Sequence, residues 1–177
     1  MRLLRAGDRV ALPWKNGGGV TREVAAWPEG AGFDAFDWRV SIAEVAAAGP
    51  FSRFEGIDRT LAVLQGRMRL TFPKNVLELD SASAPLAFRG EVPCEGEPLG
   101  GAVTDLNLMV RRGKVRGRME RVSGSVAVSG AALVVAQAAT VLRIGSETQS
   151  LGPFDAVLLD GGITFSLDTM AFVLRMD

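Results

Sequence analysis

The chain has 177 residues, of which 47% are hydrophobic and 23% charged, with 20 basic and 20 acidic side chains. This composition is typical of a globular protein, and the zero net charge argues against a nucleic-acid-binding protein, which needs a positive surface for phosphate. No apolar run approaches the roughly 20 residues of a membrane-spanning helix, and no N-terminal apolar segment indicates a signal peptide, so we expect no membrane partner. The single cysteine, Cys94, cannot form an internal disulfide, which favours a cytoplasmic location.

The absence of histidine limits the chemistry further. Ser-His-Asp and Cys-His catalytic systems and three-histidine zinc sites cannot be built, and one cysteine cannot supply a thiolate metal site. Only a carboxylate site remains for a metal, and no loop has the spacing of calcium ligands. We therefore expect no metal and no cofactor. A nucleophilic role for Cys94 is disfavoured, because no base lies near it in the sequence.

The first elements are short apolar segments at 3–4 and 10–12, which predict an edge strand, followed by a glycine-rich segment at 13–19 (PWKNGGG). This segment lacks the G-x-G-x-x-G spacing of a dinucleotide-binding loop, and no Gly-Lys-Ser/Thr follows as in a P-loop. Two interpretations are open. It is either a flexible turn, or a loop whose backbone N–H groups and Lys15 hold an anion. Residues 21–26 predict the next strand.

The chain is organised around residues 36–45 (FDWRVSIAEV), which predict a strand that carries polar groups into the interior. Alternation places Trp38, Val40 and Ile42 on one face of this strand. Arg39, Ser41 and Ala43 then share the other face. A turn at 49–54 (GPFSRF) leads to a second apolar strand at 56–65, and we expect the two strands to be central in a β-barrel wall.

The remaining pattern is one of short strands separated by turns. Residues 104–113 predict a strong strand with Asp105, Asn107 and Met109 on one face, which either lines a pocket or is solvated. Residues 115–123 are charged and predict an exposed segment that bridges two halves. No apolar stripe of helical period is present, and short strands at regular spacing favour an all-β barrel or sandwich. The other predicted strands are at 68–72, 75–79, 85–88, 126–128, 131–136, 140–144, 155–159, 163–167 and 171–176.

Four motifs, in this order, resemble the HutD/Ves family. They are residues 13–19 with 21–23 (TRE), 38–43 (WRVSIA), 49–52 (GPFS) with 56–59 (GIDR), and 105–109 (DLNLM) with 111–112 (RR). The match covers roughly residues 3–113. Beyond it, only a rhythm like that of cupin barrels is evident, for example at 151–161.

The resemblance implies an all-β bicupin, in which one chain forms two small antiparallel β-barrels of the jelly-roll type. We place an N-terminal barrel at 1–113 and a C-terminal barrel half at 114–177, the two intertwined as one compact unit. The resemblance also implies an association with histidine utilisation, or with stress response in the Ves branch. Such proteins are thought to sense a pathway intermediate, urocanate or formylglutamate, and no enzymatic activity is firmly attached to them.

A small carboxylate is therefore the expected partner, and Arg39 is the first candidate for its recognition, since a guanidinium matches a carboxylate in two hydrogen bonds. Ser41 would add a hydroxyl contact, and Asp105 would hold Arg39 in place as an ion pair. Arg59 and Lys15 are further anion partners. The full set of predicted ligand-binding residues is Trp14, Lys15, Asn16, Arg39, Ser41, Arg59, Asp105 and Asn107.

In this set, Asn16 and Asn107 would orient the ligand through their amides, and Trp14 would close the pocket as an apolar lid. Structural interpretations stand beside these. Arg39 could equally form a surface or structural ion pair, and Asp105 and Asn107 could close the barrel end through hydrogen bonds. Both Trp14 and Trp38 fit a core position as well.

The expected function is a non-catalytic ligand-binding regulator with no catalytic residue. The alternative is a cofactor-independent lyase, isomerase or hydrolase that uses Glu44, Asp105 or Glu23 with Lys15. A weaker third interpretation is a pure interaction module, which would expose a large apolar patch. By analogy with cupin-like barrels, which often pair through edge strands, we also expect a homodimer.

Overall fold

The structure, a computed structural model, describes all residues 1–177 and is built almost entirely of antiparallel β-strands. Its only helical segment is a 3₁₀ turn at Ala6–Asp8, and none of its elements is a helix long and apolar enough to cross a membrane. The strands are β1 (Arg2–Leu4), β2 (Ala11–Pro13), β3 (Gly19–Trp27), β4 (Trp38–Val45), β5 (Gly49–Pro50), β6 (Ile57–Gln65), β7 (Arg67–Phe72), β8 (Asn75–Asp80), β9 (Leu86–Arg89), β10 (Glu95–Pro98), β11 (Val103–Arg111), β12 (Gly117–Val128), β13 (Ala131–Ala136), β14 (Thr140–Ile144), β15 (Glu147–Leu151), β16 (Ala156–Leu159) and β17 (Ile163–Met176).

The chain divides into two compact units, which we call the terminal unit (residues 1–9 and 116–177) and the site unit (residues 10–115). The terminal unit is a seven-stranded sheet in the order β1-β16-β13-β17-β14-β15, with β12 paired to β17. Its apolar core includes Val134, Phe165 and Val173. Residues 1–9 were expected with the N-terminal barrel, but β1 pairs with β16, because Leu3 packs against this core.

The site unit contains two antiparallel sheets, one of six strands in the order β2-β3-β4-β11-β6-β9 and one of four in the order β5-β10-β7-β8. Side chains from both sheets meet in one apolar cluster. The six-stranded sheet contributes Val45, Leu61 and Val63, and the four-stranded sheet contributes Met68 and Leu70. The four-stranded sheet therefore covers the part of the inner face of the six-stranded sheet that carries these apolar side chains.

The strand at 36–45 is confirmed as β4, and both of its faces are buried except at Glu44. The second strand, at 56–65, is confirmed as β6. The two are not neighbours, because β11 lies between them and pairs antiparallel with each. The three strands are the centre of the sheet, with β3 and β9 outside them.

The predicted bridge at 115–123 is correct only in part. The chain passes from one unit to the other at 115/116, but residues 117–123 belong to a continuous strand of twelve residues, β12. It pairs with β17 along its length, and the register shifts between Val122 and Gly124, where Gly124 adopts a positive φ of 70°. The predicted strands at 163–167 and 171–176 are likewise one strand, β17. The pairing of β12 with β17 was not predicted, because β12 is rich in charged residues and a strand with one solvated face has few apolar side chains.

Candidate functional site

A cavity of about 580 Å³ opens on the inner face of the six-stranded sheet. Its buried wall comes from the three central strands, and its mouth comes from the loops before β3, after β3 and after β5. All eight residues proposed for ligand binding line this one cavity: Trp14, Lys15, Asn16, Arg39, Ser41, Arg59, Asp105 and Asn107.

The register of the central strands explains why these residues meet. Arg39 on β4 and Arg59 on β6 both lie opposite Met109 on β11, so the two arginines flank one methionine. Adjacent strands are about 4.8 Å apart, which places the two arginine backbones roughly 10 Å from each other. In the next row along the strands, Ser41 and Asn107 are directly opposite each other.

Arg39 is buried, and its charge is already compensated. Its Nε donates a hydrogen bond of 2.8 Å to Oε2 of Glu23, and its guanidinium carbon lies 4.3 Å from the centre of the Phe33 ring. The expected ion pair between Arg39 and Asp105 is therefore wrong. Asp105 lies opposite Ala43, four residues from Arg39 along β4, whereas Glu23 on the neighbouring β3 is within reach.

Arg59 is buried without such a partner. Its Nη1 donates to the carbonyl oxygen of Ser52 at 3.2 Å, while its buried Nε has no hydrogen-bond partner. The rings of Phe51, Phe54 and Phe88 surround the guanidinium, with centroids between 5.1 and 5.9 Å from its carbon. Burial lowers the pKa of Arg59, and the charge of Asp105 opposes this shift. Three phenylalanine rings thus surround the Arg59 cation, whose Nε has no hydrogen-bond partner.

Two further polar side chains of β11 lie in the buried wall. Asp105 is only 2% exposed, and burial raises the pKa of its carboxyl from the ordinary 3.8 to about 7, against the attraction of Arg59. Asn107 is 8% exposed, and its Oδ1 has no hydrogen-bond partner. The residues that line the cavity therefore include a carboxyl whose pKa is raised to about 7 and an asparagine whose buried amide oxygen has no hydrogen-bond partner in the chain.

The glycine-rich loop forms a hydrogen-bonded turn at the mouth of the cavity. Oδ1 of Asn16 accepts a hydrogen bond from the Gly18 N–H at 3.0 Å, and the Gly17 N–H donates to the carbonyl of Trp14 at 3.0 Å. These N–H groups are thus committed within the loop and not offered to an anion. Lys15 remains exposed at the rim, where its ammonium adds positive charge to the cavity entrance.

Trp14 is fixed by a hydrogen bond and by packing contacts. Its Nε1 donates to Oγ1 of Thr21 at 2.7 Å, and its ring packs against the apolar cluster of the site unit. The loop approaches β4 closely, because a Cβ on Gly19 would lie 2.5 Å from the carbonyl oxygen of Glu44. Glycine is needed here for this backbone contact.

The aromatic part of the cavity was not predicted. Phe33, Phe51 and Phe54 all line it, and the rings of Phe33 and Phe54 stack at 5.8 Å between centroids. Phe51 and Phe54 lie in the turn after β5. This aromatic pair, close in the sequence to a buried arginine, is the feature from which the aromatic lining could have been predicted. Phe33 lies in a Gly/Pro-rich loop that carries no such signal.

Of the three carboxylates considered for catalysis, only Asp105 lines the cavity. Glu44 is exposed on β4, on the face opposite to Arg39 and Ser41, because its position in the strand has the other parity. Glu23 is bound to Arg39.

Comparisons with known proteins relate the chain to HutD and Ves proteins. The model of the HutD family matches residues 6–174. An uncharacterised 21.2 kDa protein of the hutC 3′ region from Pseudomonas putida is 39% identical over 171 residues, covering 91% of this chain and 87% of the relative. Protein Ves of Citrobacter koseri is 32% identical over 108 residues, which is 60% of this chain and 56% of that protein.

Among solved structures, HutD from Pseudomonas fluorescens SBW25, in a formate condition, has a TM-score of 0.87 at 31% identity and covers 99% of this chain and 97% of that one. A cupin 2 conserved barrel domain protein from Leptotrichia buccalis has a TM-score of 0.61 at 11% identity, covering 94% of this chain and 92% of that one. The second likeness shows the fold alone, which is all-β and cupin-like.

Proposed function

The chain belongs to the HutD/Ves family, and on this premise we propose that it is a non-catalytic protein that binds a small carboxylate in the cavity of its site unit. One observation carries the proposal. The guanidinium of Arg59 is buried and forms no ion pair within the chain, although Arg59 lines a cavity that contains a second arginine and a rim lysine. A buried cation without an anionic partner is costly, and a carboxylate is the anion whose geometry a guanidinium matches best.

We reassign the roles proposed for the two arginines. Arg59 becomes the first candidate for the carboxylate, because Arg39 already binds Glu23. The aromatic rings around Arg59 exclude water from it, which strengthens an ionic hydrogen bond relative to the same bond in solvent. HutD from Pseudomonas fluorescens was solved in a formate condition, and formate, as the smallest carboxylate, is compatible with this choice.

The finer fold and the biological role are part of the same proposal. We propose that each unit is a small jelly-roll barrel, so that the chain is a bicupin. We also propose that ligand binding regulates histidine utilisation, with urocanate or formylglutamate as the ligand. The location of the Pseudomonas putida relative in the hutC 3′ region supports this role.

Thermal denaturation with a panel of ligands tests the proposal. Urocanate, N-formyl-L-glutamate, L-glutamate, formate and L-histidine are each added at millimolar concentration. A ligand at about 100 times its Kd stabilises the folded state by roughly 2.7 kcal/mol, which is a rise in Tm of roughly 5–10 °C for a chain of this size.

Arg59→Met is the test variant, and Arg69→Met is its matched control, since Arg69 lies on β7 outside the cavity and binds Glu78 and Glu97. We expect the ligand-induced rise to disappear in Arg59→Met and to persist in Arg69→Met. If no member of the panel raises the Tm of the parent protein, the proposal is wrong.

A second candidate function rests on Asp105. A buried carboxyl with a pKa of about 7 suits general acid or base catalysis near neutral pH, so a cofactor-independent lyase, isomerase or hydrolase is the alternative. Incubating the protein with the same panel and following each compound by NMR distinguishes the two. Turnover that is lost in Asp105→Asn supports the enzyme, and unchanged compounds that still bind support the binding protein.

A further inference from the structure

Both arginines that line the cavity are covered by other side chains. Arg39 is 5% exposed and Arg59 is 6% exposed, which leaves too little surface for a ligand to pair with either guanidinium unless a covering group moves. The rings of four phenylalanines lie against the two cations, with Phe33 over Arg39 and Phe51, Phe54 and Phe88 around Arg59. Access to the arginines therefore depends on which of these rings can move.

Two of the four rings are fixed by the core. Phe88 lies in β9, directly opposite Arg59 in the sheet, and its ring packs edge-on against Phe72 at 5.3 Å between centroids. Phe51 packs against the apolar cluster of the site unit, and a Cβ on Gly96 would lie only 2.6 Å from its ring. Because close-packed interiors leave no room for such rings to turn away, neither is a candidate for movement.

The Phe33 ring is held differently. Phe33 is 53% exposed and belongs to the loop at 28–37, which joins β3 to β4. Its ring stacks on that of Phe54, with 5.8 Å between centroids and 12° between planes, and the Phe54 centroid lies 5.9 Å from the guanidinium carbon of Arg59. Movement of Phe33 would therefore uncover Arg39 and remove the support of a ring that covers Arg59.

The loop that carries Phe33 has a fixed base and a loosely packed tip. Nε of Arg111 donates a hydrogen bond of 3.0 Å to the carbonyl oxygen of Phe36, which fixes the base. At the tip, Gly30 has a φ of 76°, and a Cβ on Gly30 or on Gly32 would meet no atom within 4 Å. Between them, Ala31 packs against a small apolar cluster. Small, unpacked residues of this kind absorb the backbone rotation of a moving loop.

The Phe33 ring rests on a guanidinium whose orientation is itself fixed. Glu23 accepts a hydrogen bond of 2.8 Å from Nε of Arg39, and the guanidinium carbon lies 4.3 Å from the centre of the Phe33 ring. Glu23 is on β3 and Arg39 is on β4, the two strands that the loop connects. The ion pair thus presents a flat cationic surface that attracts the ring by a cation–π contact.

We infer, building on the proposed carboxylate-binding function, that the stacked rings of Phe33 and Phe54 form a gate over the end of the cavity where the two arginines lie. Arg39, oriented by Glu23, is the positioning residue that holds this gate closed. The gate opens when the tip of the loop moves outward, and Arg59 then becomes accessible to a ligand. Loops that cover binding sites open in this way on the microsecond to millisecond timescale.

Hydrogen exchange at the Nε–H of Arg59 measures the opening without any ligand. This nitrogen is fully buried and has no hydrogen-bond partner, so its hydrogen reaches water only when a covering group moves. The exchange rate, followed by ¹⁵N NMR of the arginine side chains, is then proportional to the population of the open gate. The signal of Arg59 is identified as the one that is lost in Arg59→Met.

Three variants change the contacts that close the gate. Phe33→Leu removes the ring stack and the cation–π contact, and should accelerate exchange at Arg59 roughly 5- to 100-fold. Arg39→Met removes the cation beneath the ring and should accelerate it roughly 2- to 30-fold. Phe33→Trp, which keeps an aromatic ring at this position, should stay within about threefold of the parent rate.

Two internal controls separate opening of the gate from loosening of the sheet. The Nε–H of Arg111, at the fixed base of the loop, and the backbone N–H groups of β6 should exchange at parental rates in all three variants. Unchanged exchange at Arg59 in both Phe33→Leu and Arg39→Met would overturn the inference. Equal acceleration at Arg59 and at the control positions would also overturn it, since the substitutions would then have loosened the sheet as a whole.

The kinetics of ligand binding distinguish a gate from a ligand contact. With N-formyl-L-glutamate as the probe, association and dissociation rates should both rise in Phe33→Leu, so that Kd changes by less than about threefold. Faster dissociation at an unchanged association rate would make Phe33 a ligand contact and overturn the gate. Failure of this probe to bind counts against the carboxylate proposal alone, because the exchange rates decide the gate without a ligand.

Discussion

Replacing Asp105 with asparagine should remove a loss of stability that the parent protein undergoes as the pH rises from 5 to 7. The carboxyl is buried, and its pKa is raised from 3.8 to about 7. Between these values the folded protein keeps a proton that the unfolded chain has released, so unfolding becomes easier as pH rises. Asparagine has no proton to lose, and the variant should not show this decline.

The magnitude follows from the size of the shift. Each pH unit between 5 and 7 should lower the free energy of unfolding of the parent by about 1.4 kcal/mol relative to Asp105→Asn, which amounts to about 3 kcal/mol by pH 8. Above the folded-state pKa of about 7 the difference should level off.

Urea denaturation at half-unit steps from pH 5 to pH 8 measures this difference directly. Asp34→Asn is the matched control, because Asp34 is exposed in the same unit, and its difference from the parent should not vary in this way. A difference between Asp105→Asn and the parent that stays constant over the whole range would refute the assignment of a buried, nearly neutral carboxyl.

Three other changes have defined outcomes. A carboxylate bound at Arg59 would favour the protonated form of Asp105, so affinity should fall up to tenfold per unit above pH 7 in calorimetric titrations, and Asp105→Asn should remove this dependence. Gly96→Ala places a Cβ 2.6 Å from the Phe51 ring and should lower the free energy of unfolding, measured by chemical denaturation, by roughly 1–3 kcal/mol. Gly7→Ala is the control, because a Cβ at Gly7 meets no other atom and should not lower the stability in this way. Equal stabilities of the two variants would contradict the packing around Arg59. Phe33→Ala removes the ring over Arg39 and should lower stability by only roughly 0.5–1 kcal/mol, because Phe33 is half exposed; a larger loss would mean that this ring is part of the core.

Much of the site could be predicted because strands alternate with a period of two. The pattern around Arg39 and Ser41 identified the polar face of β4, and the pattern around Asp105 and Asn107 identified that of β11. The family motifs indicated that both faces belong to one site. Neither source contains the register, and it is the pairing of Ser41 with Asn107 that brings the two faces into one cavity.

The partners of the charged side chains could not be predicted. Arg39 binds Glu23, which lies opposite Ser41 in the pairing of β3 with β4, and this register is not evident from the sequence. Arg59 was a secondary candidate because its neighbours in sequence give no special signal. Its importance comes from Phe88, which lies directly opposite it on β9.

Long-range pairing explains the remaining differences in the fold. The pairing of Leu3 with Val157 joins residues far apart in the chain, so local patterns could not assign residues 1–9 to the terminal unit. The long β12–β17 ladder was divided for the same reason. Local alternation locates strands, but the order of strands in a sheet depends on contacts between distant segments.

The most direct test of the carboxylate site is a crystal structure of the protein with whichever compound of the thermal panel stabilises it most. The proposal predicts a carboxylate oxygen within hydrogen-bond distance of the Arg59 guanidinium, inside the cage of Phe51, Phe54 and Phe88. A ligand ordered elsewhere on the molecule, with only water beside Arg59, would contradict it.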